Sequence, residues 1–146
     1  MAKPFPEIID IDDAMRCCRL GMLASLAFAA LGVIGVAVAV ITGGGQAVTS
    51  MQDGMTWLAG TASAEIVIAL VAAWRFRRNR GLIAGSILLL VFLFEFIGKF
   101  FIGFPGVFGI VIHLFIGIGI INGIRGAIAM RNTDTLDSEA LAREFE

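Results

Sequence analysis

Polar positions are sparse along this chain and fall in clusters, leaving four apolar blocks at about residues 20–41, 55–74, 82–102 and 107–130. Each block is close to the ~20 residues a helix needs to cross the hydrocarbon core of a bilayer. The blocks are separated by "TGGGQ" (42–46), "RFRRNR" (75–80) and "GFPG" (103–106), which carry turn or charge signals. In lipid a chain must satisfy its own backbone hydrogen bonds, so blocks of this kind are helices. The pattern predicts an all-α integral membrane protein, a bundle of four transmembrane helices.

The flanks complete this reading. Residues 1–19 mix acids with Phe5, Ile8, Ile9, Ile11 and Met15, the composition of an interfacial segment, with Asp10 or Asp12 placed to cap a helix that runs on into the first span. Residues 131–146 form an acidic tail in which one or two helical turns would put Leu141 and Phe145 on a shared face. In the second block, Ser50 is placed to cap the helix start, and Trp57 and Trp74 stand about 25 Å apart along a helix axis, suited to anchoring opposite interfaces.

Composition strengthens the membrane assignment. Hydrophobic residues make up 58% of the chain, against ~45–50% for soluble domains, and the surplus lies in the four blocks. Nothing outside them is long enough to build a second core. The first block, 20–41, exceeds the 7–15 residues of a signal-peptide core; despite a small-x-small site at Ala37-Val38-Ala39, it reads as an uncleaved span.

A net charge of −1 hides strong segregation. Lys3, Arg16, Arg19, Arg75, Arg77, Arg78, Arg80, Arg131 and Arg143 all fall on one side if the spans alternate, with Arg125 close to it. The two loops on the other side hold neither lysine nor arginine. The positive-inside rule then places both termini in the cytoplasm, and the expected location is a cell membrane, that of a bacterial inner membrane. The same rule accounts for "RFRRNR", so no nucleic-acid partner is expected.

Small residues recur at helical spacing. Gly109, His113 and Gly117 follow one another at i+4, Gly119 and Gly123 form a second strip, and Gly21, Ser25 and Ala29 a third, with Gly32 and Gly35 beyond. Such strips let helix backbones approach in lipid, either inside one bundle or between copies. Cys17 and Cys18 are adjacent on a helix, point about 100° apart and read as free thiols in a reducing compartment.

Four titratable residues lie inside the blocks: Glu65, Glu95, Lys99 and His113. Their depths below the end opposite the arginines are about 15, 10, 5 and 9 Å respectively, at 1.5 Å per residue. Glu95 and Lys99 stand at i,i+4 with the acid first, the favourable order for a helical ion pair. Thr61, Glu65, Ala69 and Ala72 form a small and polar stripe, which turns Glu65 toward another helix. Such residues can brace a bundle by pairing with one another or mark a solute or proton route, so these four are the candidate polar network.

Catalytic machinery is not expected. One histidine, no cysteine in the blocks and aspartates confined to loops and termini leave no set for a metal, haem or serine-type triad. No catalytic, metal or cofactor-binding residues are assigned, and no cofactor. Size and span count are those of small four-helix multidrug transporters, which are similar to one another around a glutamate in the first span. The first span here holds no charge, so no membership follows. The expected role is a non-catalytic packing or accessory component of a membrane complex or homo-oligomer, with the lipid bilayer as its surroundings. The alternative is a proton-linked small-solute transporter or channel formed by an oligomer.

Overall fold

A computed structural model of the chain describes residues 5–41, 52–102 and 106–144. It is all-α, with four helices: α1 Ile11–Ile41, α2 Gln52–Arg77, α3 Leu82–Ile102 and α4 Gly106–Glu144. Three of them are long and apolar enough to cross a membrane, over Ile11–Val38, Leu82–Phe101 and Gly106–Asn132, with mean hydropathies of 2.2, 2.1 and 2.3. These spans describe a multi-pass membrane protein. Helix α2 is not one of the three among the described residues; it carries Glu65 along its length and Arg75 and Arg77 in its last turn.

Local chemistry sets the helix ends. Asp10 caps α1, its carboxylate accepting the Asp13 backbone N–H at 2.7 Å, while the Asp13 carboxylate accepts the N–H of Ile9 at 3.4 Å. This is the logic of a capping box. The helix then runs unbroken into the first apolar block, as expected of a helix capped just ahead of it, so the stretch from Ile11 onward belongs to α1. At the far end of α2, Asn79 adopts φ 55°. The Asn79 N–H donates to the Phe76 carbonyl at 2.9 Å and the Arg80 N–H to the Arg75 carbonyl at 3.0 Å. Those two bonds form a Schellman motif, with asparagine taking the left-handed position usually given to glycine.

Helix α4 extends well past the fourth apolar block. The segment after Gly126 contains neither glycine nor proline, so nothing local stops the helix and it continues to Glu144, longer than the one or two turns expected. The "TGGGQ" stretch, Ser50, Phe145 and the first three residues of "GFPG" lie outside the described residues, as does the side chain of Trp57.

The helices pack as a closed ring in the order α1, α2, α3, α4. The arginine turn, the start of α1 and the latter part of α4 share one end. Here α1 and α4 touch backbone to backbone: a Cβ added to Gly21 would sit 2.6 Å from the Gly123 Cα, one on Gly119 2.6 Å from the Ala24 Cβ, and one on Gly126 2.6 Å from the Ala14 carbonyl oxygen. Cys17 and Cys18 are free and buried in this seam, with the Cys18 thiol 4.0 Å from the Gly123 carbonyl oxygen. Ser25, fully buried beside them, donates to the Gly21 carbonyl at 2.8 Å, a back-bond that hides its hydroxyl. Gly21, Gly119 and Gly123 therefore serve contacts inside one chain. Gly117 meets Phe92 of α3, Gly32 meets Ile66 of α2, and Gly35 has no neighbour within 4 Å of an added Cβ.

The core joins Ala24, Phe28 and Ala29 of α1, Ala69, Ala72 and Phe76 of α2, Leu88 and Phe92 of α3, and Ile116 and Ile120 of α4. Large apolar side chains such as Phe94, Phe101, Phe108 and Phe115 face outward, as expected where lipid is the solvent.

Candidate functional site: a polar cleft at the end opposite the arginines

Above the Phe28–Phe92 layer the ring opens into a cleft of about 390 Å³, walled by all four helices. Glu65 of α2, Glu95 and Lys99 of α3, and His113 of α4 all line it. The four residues singled out in the sequence thus come together in space. The reason is geometric: in a ring of alternating helices, the later parts of α1 and α3 and the earlier parts of α2 and α4 occupy the same half.

Three of the four are directly linked. The Lys99 ammonium contacts the Glu95 carboxylate at 2.5 Å and donates to His113 Nε2 at 2.8 Å. His113 Nδ1 lies 2.7 Å from the Gly109 carbonyl oxygen. A carbonyl only accepts and an ammonium only donates, which assigns the proton to Nδ1 and the lone pair to Nε2. The outcome is a chain, Glu95–Lys99–His113–Gly109, that crosses from α3 to α4. The Lys99 side chain, 37% exposed, lies in the cleft against these two partners.

Aromatic rings hold the imidazole in place. His113 stacks on Phe96 at 5.4 Å between centroids, tilted 29°, and meets Phe92 at 5.8 Å. Phe92 in turn meets Phe28 edge to face at 5.7 Å, closing the floor. These phenylalanines were not foreseen as part of the site. Their spacing held the signal, since Phe92, Glu95, Phe96 and Lys99 share one face of α3 at i, i+3, i+4 and i+7. With 12 phenylalanines in an apolar chain, the two that matter look like lipid-facing ones.

Glu65 stands apart. It lines the cleft, half-buried, and takes part in no hydrogen bond or ion pair among the described residues. Thr61, one turn earlier, is exposed, whereas Ala69 and Ala72 are fully buried, so the expected stripe faces inward from Glu65 onward. No group of three or more His, Cys, Asp or Glu side chains is placed to hold a metal ion among the described residues. In comparisons with known proteins, no family model, no curated protein and no solved structure matches the chain.

Proposed function

We propose that the chain crosses the bilayer four times, α2 included, with both termini and the arginine turn in the cytoplasm of a bacterial inner membrane. Support comes from the ring: α2 has 26 residues, about 39 Å of helix, and lies between two apolar helices. Its arginines cluster in the last turn, Glu65 faces the cleft, and Val67, Leu70 and Val71 point outward. Within that membrane the protein is a non-catalytic packing or accessory component of a complex or homo-oligomer. The observation that carries this reading is the linked chain from Glu95 to the Gly109 carbonyl, whose charged and polar members satisfy one another and brace α3 against α4.

A double-mutant cycle on unfolding in bicelles tests the brace. Lys99→Met and Glu95→Leu are each expected to cost about 1–3 kcal/mol, below the ~3–5 kcal/mol of a fully buried pair, because the side chains remain 37% and 26% exposed. The double replacement is expected to cost less than the sum. Additive losses would remove the brace.

One observation favours a second reading, a proton-linked small-solute transporter or channel formed by an oligomer. Glu65 faces the same cleft with no hydrogen-bond or ion-pair partner among the described residues, which leaves its carboxylate open to proton exchange. In sealed vesicles carrying a pH-sensitive dye, this reading requires that the protein dissipate an imposed pH gradient and that Glu65→Gln abolish the effect. Vesicles that hold their gradient with the wild-type protein would exclude proton flux and leave the cleft as architecture.

A further inference from the structure

We propose that the bundle binds the headgroup of an anionic phospholipid between the α2–α3 turn and the arginine end of α4. A pocket of about 250 Å³ lies there, with Arg75 and Arg80 from the turn and Arg131 from α4 on its walls, and Leu82, Ile83 and Ala127 as its apolar base. Its volume is below the roughly 300–1,000 Å³ of a drug-sized site and suits a headgroup. Among the described residues no acidic side chain lines it.

The pocket is built rather than incidental. Arg75 and Arg80 are held at a fixed separation by the Schellman motif, the Arg80 N–H bonding the Arg75 carbonyl at 3.0 Å. Leu82 and Ile83 are the first two residues of α3, so their backbone N–H groups lack intrahelical acceptors and add the positive end of the helix dipole. Three guanidiniums and this helix start make a phosphate the complementary charge, and guanidinium forks grip phosphate oxygens in pairs.

A lipid is chosen over a free phosphate by what adjoins the pocket. Ile83 lines it and is 70% exposed; Ile87 at 48%, Leu90 at 59% and Phe94 at 79% continue the same stripe outward along α3. A ligand with its phosphate among the arginines would lay its acyl chains on this stripe. Basic pockets between membrane helices commonly receive lipid headgroups in this way. The arginines would then do more than set orientation: a positive-inside signal needs only their number, whereas this site needs three of them at specific positions.

The test is native mass spectrometry of the full-length protein from mixed micelles containing equal dioleoylphosphatidylglycerol and dioleoylphosphatidylcholine. Retained phosphatidylglycerol is expected in clear excess. It should fall about fivefold for Arg131→Gln and on the order of a hundredfold for Arg75→Gln/Arg80→Gln/Arg131→Gln, from about 1 kcal/mol per arginine. A control removing equal charge outside the pocket, Arg16→Gln/Arg19→Gln/Arg78→Gln, should keep most of its lipid. Three outcomes overturn the proposal: equal loss in the control, equal retention of phosphatidylcholine, or displacement of phosphatidylglycerol by millimolar inorganic phosphate, which would make this a free-anion site. If the triple variant does not fold, Arg131→Gln decides alone, and unchanged retention by that folded single variant sinks the idea.

Discussion

Phe76 is fully buried in the middle of "RFRRNR", the most polar stretch between the apolar blocks. Its ring fills a socket made by glycines of three helices: an added Cβ on Gly21 would lie 3.3 Å from it, one on Gly123 2.9 Å, and those on Gly81 and Gly85 would strike it. A side chain this enclosed leaves a cavity when truncated, so Phe76→Ala should cost about 3–5 kcal/mol in unfolding from detergent. Phe101→Ala, at a position 87% exposed, should cost little in the same assay. Single-residue reading of the sequence caught the ionisable set because charge in an apolar block is conspicuous. It missed Phe76 because an aromatic beside arginines looks like an interfacial anchor, whereas Trp74, two residues earlier, is half exposed and lies under the Arg78 guanidinium, 4.5 Å from its ring. Only the glycines of three other segments reveal the difference, and their convergence is a tertiary fact.

Helices and their faces were more legible. Length and hydropathy outline α1, α3 and α4 because a membrane imposes a minimum apolar run, and residue type narrows the cap of α1 to Asp10 or Asp12, between which the bond to the Asp13 N–H selects Asp10. Extents were harder: α4 runs on to Glu144 since no local breaker opposes it, a matter of propensity that hydropathy does not register. Small-residue strips named the packing faces without naming partners. Gly123→Leu should cost at least the ~1–3 kcal/mol typical of overpacking, because its neighbour at 2.6 Å is the Gly21 backbone, which cannot rotate away. Gly117→Leu should cost less, since its neighbour at 3.2 Å is the Phe92 side chain. Gly35→Leu, with open space around it, should be near neutral. Thermal unfolding of the three variants side by side checks this order; a reversed order would mean that α1 and α4 do not meet along Gly21 and Gly123.

For the whole molecule, orientation is the property most directly open to experiment. A reporter fused after Glu146 should be active on the cytoplasmic side only, and shifting the four arginines of 75–80 into 42–46 should disturb or invert insertion. Activity of the fused reporter in the periplasm would overturn the arrangement of both termini inside. The seam between α1 and α4 has a consequence for how such a chain is made. Cys18 and Gly123 are separated by 105 positions, so this backbone-to-backbone contact joins the first of the four helices to the fourth. At the ~5–20 residues per second of translation, α1 waits on the order of 5–20 s in the bilayer before its partner emerges. Throughout that interval the face carrying Ala14, Cys17, Cys18, Gly21 and Ser25 has no α4 to cover it. A nascent chain stalled after α3 would present that face to lipid, to an insertion factor or to another stalled copy, and it is the step of biogenesis at which this protein is most exposed to mispairing.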